Sequence, residues 1–149
     1  MSGNVRKFTY MGQDCITLPA DRSAFEALRS WISGIAGELK LPDRTRKQLL
    51  IVADEIFTNI TTYGYPSGSG EVNVTVEFDI DLDQLDITFV DSGVPYNPLA
   101  CADPDVTCPL AERQPGGLGI FIVKKLMDTV EYRRENNCNI LTARKNITR

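Results

Sequence analysis

The chain has 149 residues, of which 42% are hydrophobic, and 16 Lys and Arg against 20 Asp and Glu give a net charge of −4. This is the size of one globular domain with one core. The acidic balance argues against a general nucleic-acid binder, because neutralising phosphates requires a basic surface patch. The apolar runs are far shorter than the roughly 20 residues that cross a bilayer, and the first residues lack the hydrophobic region of a signal peptide. We therefore expect a cytoplasmic protein with neither a nucleic-acid nor a membrane partner.

The chain contains no histidine, which excludes several classes of site. A Ser-His-Asp triad, a Cys-His pair and a histidine that accepts phosphate all require one. The four cysteines form no Cys-x-x-Cys pair, so we do not expect structural zinc and interpret them as separate thiols in a reducing compartment. Cys101 and Cys108 share a loop and could respond to oxidation. The proton acceptor of any catalytic site is expected to be a carboxylate.

Two amphipathic helices are predicted in the first half of the chain. The segment 19–21 introduces the first helix, whose apolar residues step by three and four: Phe25, Leu28, Ile32, Ile35 and Leu39. The segment 41–43 breaks it, and Asp43 is predicted to cap a second helix with apolar positions at Leu49, Ala53, Ile56 and Ile60. Glycine and proline at 63–66 predict where this second helix ends.

Alternation of apolar and polar residues predicts a short extended start and then a β-hairpin. The start covers 7–10 and 15–18. From Glu71 onward, every second residue is apolar: Val72, Val74, Val76 and Phe78. After an acidic turn at 79–84 the chain returns with the same period through Leu85, Ile87 and Phe89. Asp91 lies at the far end of this second strand.

The remainder of the chain contains a long loop, a helix and two strands. The loop at 92–115 holds five of the eight prolines and has no periodic pattern, which is typical of functional lids or disordered segments. The segment 118–127 is apolar nearly all round and predicts a buried helix, and strands are predicted at 129–134 and 139–145 around a turn at 135–137.

This order of elements predicts an α+β fold in a single domain over residues 1–149. Hairpin strands and helices that share one apolar face make a two-layer α/β sandwich. We expect a mixed, mostly antiparallel sheet covered on one face by three helices, with the other face open to solvent.

Three short segments carry the candidate chemistry, and the first lies on the second helix. Glu55 and Asn59 are four residues apart and project from nearly the same helical face. An amide oxygen from Asn59 and phosphate oxygens would suit Mg²⁺, and Glu55 could hold a water or a hydroxyl nearby. The alternative is that both are ordinary exposed polar residues of a helix.

The second segment begins where the hairpin ends. Asp91 is followed by Ser92 and Gly93, and a glycine there lets a ligand approach the backbone closely. A carboxylate at this place could accept a hydrogen bond from an exocyclic amine and so select adenine, and Tyr96 could pack beside a base. The alternative for Asp91 is that it is an acidic turn residue, and the alternative for Tyr96 is that it is an ordinary core or rim tyrosine.

The third segment, Gly116, Gly117, Leu118 and Gly119, opens an apolar helix. The unpaired N–H groups and the dipole at a helix N-terminus favour phosphate. Arg113, three residues upstream, could reach a γ-phosphate. The alternative is an ordinary glycine turn, and no Gly-x-x-x-x-Gly-Lys-Ser/Thr segment exists that would indicate a P-loop.

Together, in this order, the three segments resemble those of the GHKL ATPases, which have the Bergerat or histidine-kinase-like ATPase fold, and within them the anti-sigma regulatory factors and serine-protein kinases. The resemblance runs from about residue 18 to residue 144. It implies that ATP and Mg²⁺ bind here, with 92–116 as the ATP lid. It assigns Asn59 to the metal, Glu55 to the general base, Asp91 to the adenine amino group and Gly93 to the space around the base.

The resemblance also assigns the third segment to phosphate, with cofactor-binding residues Arg113, Gly116, Gly117, Leu118 and Gly119. Sensor histidine kinases share this fold but need a histidine to accept phosphate, so a chain without one acts on another protein or is not a kinase. The implied partners are an anti-sigma factor antagonist of the STAS type and a sigma factor, and a homodimer is usual for the family.

Three hypotheses follow for the function. The first is a protein serine/threonine kinase that phosphorylates an anti-sigma factor antagonist, with Glu55 as the base. The second is a nucleotide-gated binding module that sequesters a partner without phosphorylating it. The third is a degenerate domain that binds no nucleotide. Transfer of labelled phosphate distinguishes the first from the second, and binding of Mg-ATP eliminates the third.

Overall fold

The fold is seen in a computed structural model that describes residues 11–100 and 118–148. Its strands are β1 (Met11–Pro19), β2 (Glu71–Asp79), β3 (Gln84–Asp91), β4 (Thr129–Glu135) and β5 (Cys138–Asn146). Its helices are α1 (Phe25–Glu38), α2 (Asp43–Asn59) and α3 (Leu118–Leu126). Short 3-10 turns occur at Arg22–Ala24 and Pro98–Ala100. Predictions that concern 7–10, Cys101, Cys108, Arg113, Gly116 and Gly117 lie outside the described residues.

The five strands form one sheet in the order β1-β2-β3-β5-β4. All four strand pairs are antiparallel, so the sheet is wholly antiparallel where we predicted a mixed, mostly antiparallel one. The reason is the connections: hairpins join β2 to β3 and β4 to β5, and the chain returns after α3 so that β5 runs against β3. The register places Asp91 opposite Val72 on one side and opposite Asn139 on the other.

The core lies between one face of the sheet and the helices. The predicted alternation is confirmed, because the predicted inward positions of β2 and β3 are all buried: Val72, Val74, Val76, Phe78, Leu85, Ile87 and Phe89. The helices contribute buried residues at the predicted spacing, among them Leu28, Ile32, Ile35, Leu49, Ala53 and Ile56. Intervening residues such as Thr75 and Thr88 point to the other face and are half-buried. The α+β two-layer sandwich is therefore confirmed.

Details of the helix ends differ from the prediction. Asp21 caps the 3-10 turn that leads into α1, accepting a hydrogen bond from the Ser23 N–H at 2.8 Å. Pro42 is the cap residue of α2, so the prediction that Asp43 caps it was wrong. Asp43 lies in the first turn of α2, where its carboxylate pairs with Arg46 and Lys47.

Helix α3 is less buried than its composition predicted. Ile120 and Val123 are buried, but Leu118 is 37% exposed and Phe121 is half-buried. Only one stripe of this helix faces α2 and the sheet, and apolar composition alone did not show that. Across the described ranges, the structure contains no helix with the length and apolarity needed to span a bilayer.

A π-helical turn, Ile60–Gly64, follows α2 without interruption. A π turn is wider than an α turn and often marks a functional site. Here its last residue, Gly64, is buried and lies beside Asp91, with the position of a Cβ at Gly64 being 3.6 Å from Asp91 Oδ1. The turn thereby brings the end of α2 to the end of β3.

Candidate active site

Helix α2 supplies the two predicted residues Glu55 and Asn59, and both are half-buried. Burial raises the pKa of Glu55, and the adjacent Asp54 carboxylate raises it further. A carboxylate whose charged form is disfavoured in this way is a stronger proton acceptor than an exposed one. Asn59 is the last residue of α2, and it lines the same cavity as Asp91 at the end of β3.

Asp91 is held in a fixed orientation at the end of β3, where it is 5% exposed. Its Oδ1 accepts hydrogen bonds from the Gly93 N–H and from Asn139 Nδ2, each at 2.9 Å. Within the described ranges no hydrogen bond ends on Oδ2. Because Asp91 lines the cavity, this second oxygen is the acceptor that it offers to a bound group.

The cavity itself is mostly apolar and narrow. Its walls are Ile56, Asn59, Ile60, Gly64, Phe89, Asp91, Tyr96, Pro98, Tyr132, Asn139 and Leu141. Its volume of about 30 Å³ is the space that one water molecule occupies in the liquid. The Tyr96 ring stacks on Tyr63 with the centroids 4.8 Å apart. An apolar slot with one buried carboxylate suits a flat base that carries an amino group, once its walls have moved apart.

Two glycines allow the chain segments around Asp91 to approach each other. The Val94 N–H donates to the Gly64 carbonyl oxygen at 2.8 Å. A Cβ at Gly93 would lie 2.7 Å from the Gly64 carbonyl carbon, closer still to its oxygen, and 2.9 Å from Asp91 Oδ1. Gly93 is therefore needed for this backbone contact, which refines the predicted role of making room for a base.

Tyr65 ties the same region to the start of β2. Its hydroxyl donates to the Glu71 carbonyl oxygen at 2.8 Å and accepts from the Ser92 N–H at 2.8 Å. Gly70 packs against the ring, so that a Cβ there would overlap it. Tyr65, which follows the π turn, therefore links the residue after Asp91 to the start of β2, the strand that pairs with β3.

The start of α3 lies against Glu55. A Cβ at Gly119 would lie 3.2 Å from Glu55 Cδ and would overlap Oε2. Gly119 therefore leaves room for Glu55, a contact that the sequence did not predict, and Leu118 beside it is exposed.

Glu55 also borders a groove between α1 and α2, which we call the α1–α2 groove. It is about 520 Å³ in volume and is lined by Arg22, Phe25, Arg29, Asp54, Glu55, Thr58, Thr61 and Thr62. Arg29 Nε pairs with Asp54 Oδ1 at 3.0 Å, and this hydrogen bond raises the pKa of Arg29. The groove gives a polar approach to Glu55 from the surface of the molecule.

The structure thus separates the predicted residues into two adjoining groups. Asn59 and Asp91 line the cavity with Gly93 at its edge, whereas Glu55 borders the α1–α2 groove with Gly119 against it. Gly64, Tyr65 and Asn139 were not predicted from the sequence to belong to the site. A signal for Asn139 was available, because this amide falls on the inward phase of β5, together with buried Leu141 and Ala143.

Comparison with known proteins matches this chain to a family of ATPase domains and to two named protein kinases. A family model described as the histidine kinase-like ATPase domain matches residues 18–145. The serine-protein kinase RsbW of Bacillus mycoides is 24% identical over 128 residues, which cover 83% of this chain and 79% of that protein. The serine/threonine-protein kinase BtrW of Bordetella bronchiseptica is 26% identical over 113 residues, which cover 75% of this chain and 78% of the relative.

A solved structure shares the fold. It contains the RsbU and RsbW domains of a Mycobacterium tuberculosis protein and superposes with a TM-score of 0.67 at 16% sequence identity. The match covers 92% of this chain but 33% of that longer protein. At this identity the likeness concerns the fold alone.

Proposed function

The chain belongs to the histidine kinase-like ATPase family, and on that premise we propose how its site works as an ATP-dependent protein serine/threonine kinase of the anti-sigma regulatory type. The relatives that are named as serine or serine/threonine kinases support this activity. The observation that carries the assignment is the pair of buried or half-buried acids: Asp91 in an apolar cavity and Glu55, with a raised pKa, at a groove open to the surface.

The cavity residues fit an adenine nucleotide. Asp91 offers Oδ2 to the exocyclic amino group while Ile56, Ile60 and Phe89 contact the faces of the base. Because the cavity is narrower than a purine, binding moves Tyr96 or Pro98, which lie on the segment before residues 101–117. Asn59 would hold Mg²⁺ through its amide oxygen, and the ion would neutralise phosphate charge. The proposed ATP lid is 92–116, and we assign its Arg113, Gly116 and Gly117, together with Leu118 and Gly119, to the phosphates.

Glu55 is the general base in this proposal. The hydroxyl oxygen of a serine or threonine on the partner bonds to the γ-phosphorus while the bond from that phosphorus to the bridging oxygen breaks, and ADP leaves. Glu55 accepts the hydroxyl proton. Such a transfer depends chiefly on positioning and charge neutralisation, and a positioned base contributes roughly 10²- to 10⁴-fold. The partner hydroxyl reaches Glu55 along the α1–α2 groove.

The alternative, a nucleotide-gated module that binds without transferring phosphate, is not favoured. Such a module has no need of a carboxylate in the position of Glu55, and the named relatives are kinases. We assign as partners an anti-sigma factor antagonist of the STAS type and a sigma factor. We also propose that residues 1–149 form a single domain. This domain would form a homodimer and act in the cytoplasm.

A phosphotransfer assay tests this function. The purified protein is mixed with labelled Mg-ATP and a candidate antagonist of the STAS type, and label on the antagonist is measured with and without a chelator of Mg²⁺. Glu55→Gln should retain ATP binding by calorimetry and lose roughly 10²- to 10⁴-fold in transfer rate. Asp91→Asn should lose ATP binding itself. Glu77→Gln, an exposed carboxylate on β2, serves as the matched control and should keep both. An unchanged transfer rate in Glu55→Gln would overturn the assignment of the base.

A further inference from the structure

Asn139 lies at the centre of a buried hydrogen-bond network beside Asp91. It faces Asp91 directly across the β3–β5 ladder and is 5% exposed. Its Nδ2 donates to Asp91 Oδ1 at 2.9 Å and to the Val94 carbonyl oxygen at 2.8 Å. Its Oδ1 accepts from the Tyr132 hydroxyl and from the Tyr96 N–H, the latter at 3.2 Å.

The four partners allow only one orientation of this amide. If the amide were reversed, its oxygen would face two acceptors, the Asp91 carboxylate and the Val94 carbonyl, and its nitrogen would face the Tyr96 N–H donor. Buried polar groups that lack a complementary partner are costly. Asn139 therefore presents one N–H to Asp91 and the other to the Val94 carbonyl oxygen.

This orientation of the Asn139 amide decides which oxygen of Asp91 is left to accept a hydrogen bond from a ligand. Asn139 and the Gly93 N–H both bind Oδ1, so Oδ2 is the oxygen left for the cavity. An ionised carboxylate only accepts hydrogen bonds. The amino group of a 6-aminopurine donates to it, whereas the oxygen of a 6-oxopurine would meet it acceptor to acceptor.

We propose that Asn139 is a positioning residue that sets the preference of this site for 6-aminopurine over 6-oxopurine nucleotides. This inference rests on the proposed function, in which Asp91 binds adenine. Tyr132 acts in turn on Asn139, because its hydroxyl bond to Oδ1 holds the amide in place. Both residues act through Asp91 and do not take part in phosphate transfer.

The test compares ATP with inosine triphosphate, which differs at position 6 of the base. Dissociation constants for both nucleotides are measured by calorimetry with Mg²⁺ present. In Asn139→Ala the constant for ATP should rise roughly tenfold or more, as expected for loss of a hydrogen bond to a charged group. The dissociation constant for inosine triphosphate should change much less. The ratio of the constant for inosine triphosphate to the constant for ATP should therefore fall.

Two further variants distinguish an effect on the position of the Asp91 carboxylate from an effect on folding. Tyr132→Phe keeps the ring and removes the donor to Asn139, and it should reduce the ratio by a smaller factor with little change in Tm. Asn146→Ala is the matched control, since Asn146 makes a cross-strand bond to Gln84 at the opposite end of the same ladder, at 2.9 Å. In Asn146→Ala the ratio of the two dissociation constants should equal that of the wild type.

The outcomes are distinguishable. Equal weakening of both nucleotides in Asn139→Ala and Tyr132→Phe would mean a purely structural role and would overturn the inference. A wild-type protein that binds ATP without preferring it would overturn the inference and leave the kinase proposal standing. A wild-type protein that binds neither nucleotide would overturn the proposed function, and the inference with it.

Discussion

Gly119 packs against Glu55 so closely that no side chain at position 119 is compatible with the carboxylate where it lies. The two residues come from α3 and α2, so the contact fixes the start of one helix relative to the proposed base on the other. Any group larger than hydrogen at position 119 moves Glu55, α3 or both.

Gly119→Ala should therefore reduce phosphate transfer at least about tenfold, since misplacing a catalytic group by about 1 Å can cost 10²-fold. The measurement is the transfer rate at saturating ATP. Gly37→Ala is the matched control, because a Cβ at this helical glycine meets nothing within 4 Å. It should keep full activity and gain about 0.5–1 kcal/mol of stability. Full activity in Gly119→Ala would contradict the role of the contact.

Glu55→Gln should make the protein more stable at neutral pH while removing its activity. Burial, and then repulsion from Asp54, raise the pKa of Glu55 above its usual value of 4.5. The contribution of Glu55 to stability is therefore fully present below pH 4.5 and is lost as the pH rises through the raised pKa. Glutamine stays neutral at every pH, so at pH 7 the variant should melt at a higher temperature than the wild type. The difference should vanish near pH 4, and a variant that melts lower at pH 7 would refute the argument.

The loss of kcat/KM at acid pH, which we expect to follow the protonation of Glu55, should shift in pH when the charges beside Glu55 are changed. Asp54→Asn removes a negative neighbour and should shift the acid limb of kcat/KM to lower pH. Arg29→Met removes the cation that pairs with Asp54 and should shift it to higher pH. Breaking this exposed pair should cost only about 0.2–1 kcal/mol of stability, so both variants should fold. Shifts in the same direction for both would show that another group controls the limb.

Gly64 and Gly93 should differ in their tolerance of alanine. A Cβ at Gly93 overlaps the Gly64 carbonyl, which cannot move without breaking its bond to Val94, so Gly93→Ala should lose about 1–3 kcal/mol of stability and also ATP affinity. A Cβ at Gly64 makes only ordinary contacts, at 3.6 Å, but projects beside Asp91. Gly64→Ala should keep its Tm and lose ATP affinity. Equal Tm values for the two variants would count against this difference.

The sequence predicted the elements well, because their signals are local. The period of two in β2 and β3 and the steps of three and four in α1 and α2 each follow from which residues face the core. The positions of Glu55, Asn59 and Asp91 on their elements were likewise predicted from order and spacing.

The contacts between elements were not predictable in the same way. Gly119 against Glu55, and Asn139 across from Asp91, join residues 64 and 48 positions apart in the chain. Their proximity depends on the sheet order, in which β5 lies between β3 and β4, and on how far α3 overlaps α2. No local pattern encodes either. The pairing of helix and strand ends also explains why Gly64 looked like an ordinary helix-end glycine and why the contact of Gly93 with the Gly64 carbonyl was not predicted.

The π turn at Ile60–Gly64 makes the site sensitive to the form of this helical turn as well as to residue identity. A π turn is in effect an α-helix with one residue inserted, and its greater width absorbs the extra residue. If all five residues took α form instead, everything after them would rotate by roughly 100°, the rotation of one α-helical residue. Gly64 would then leave Asp91, and Tyr65 would leave Ser92, although every residue that contacts nucleotide was retained. The π form of the segment between Asn59 and Tyr65 is thus a requirement of the site in its own right.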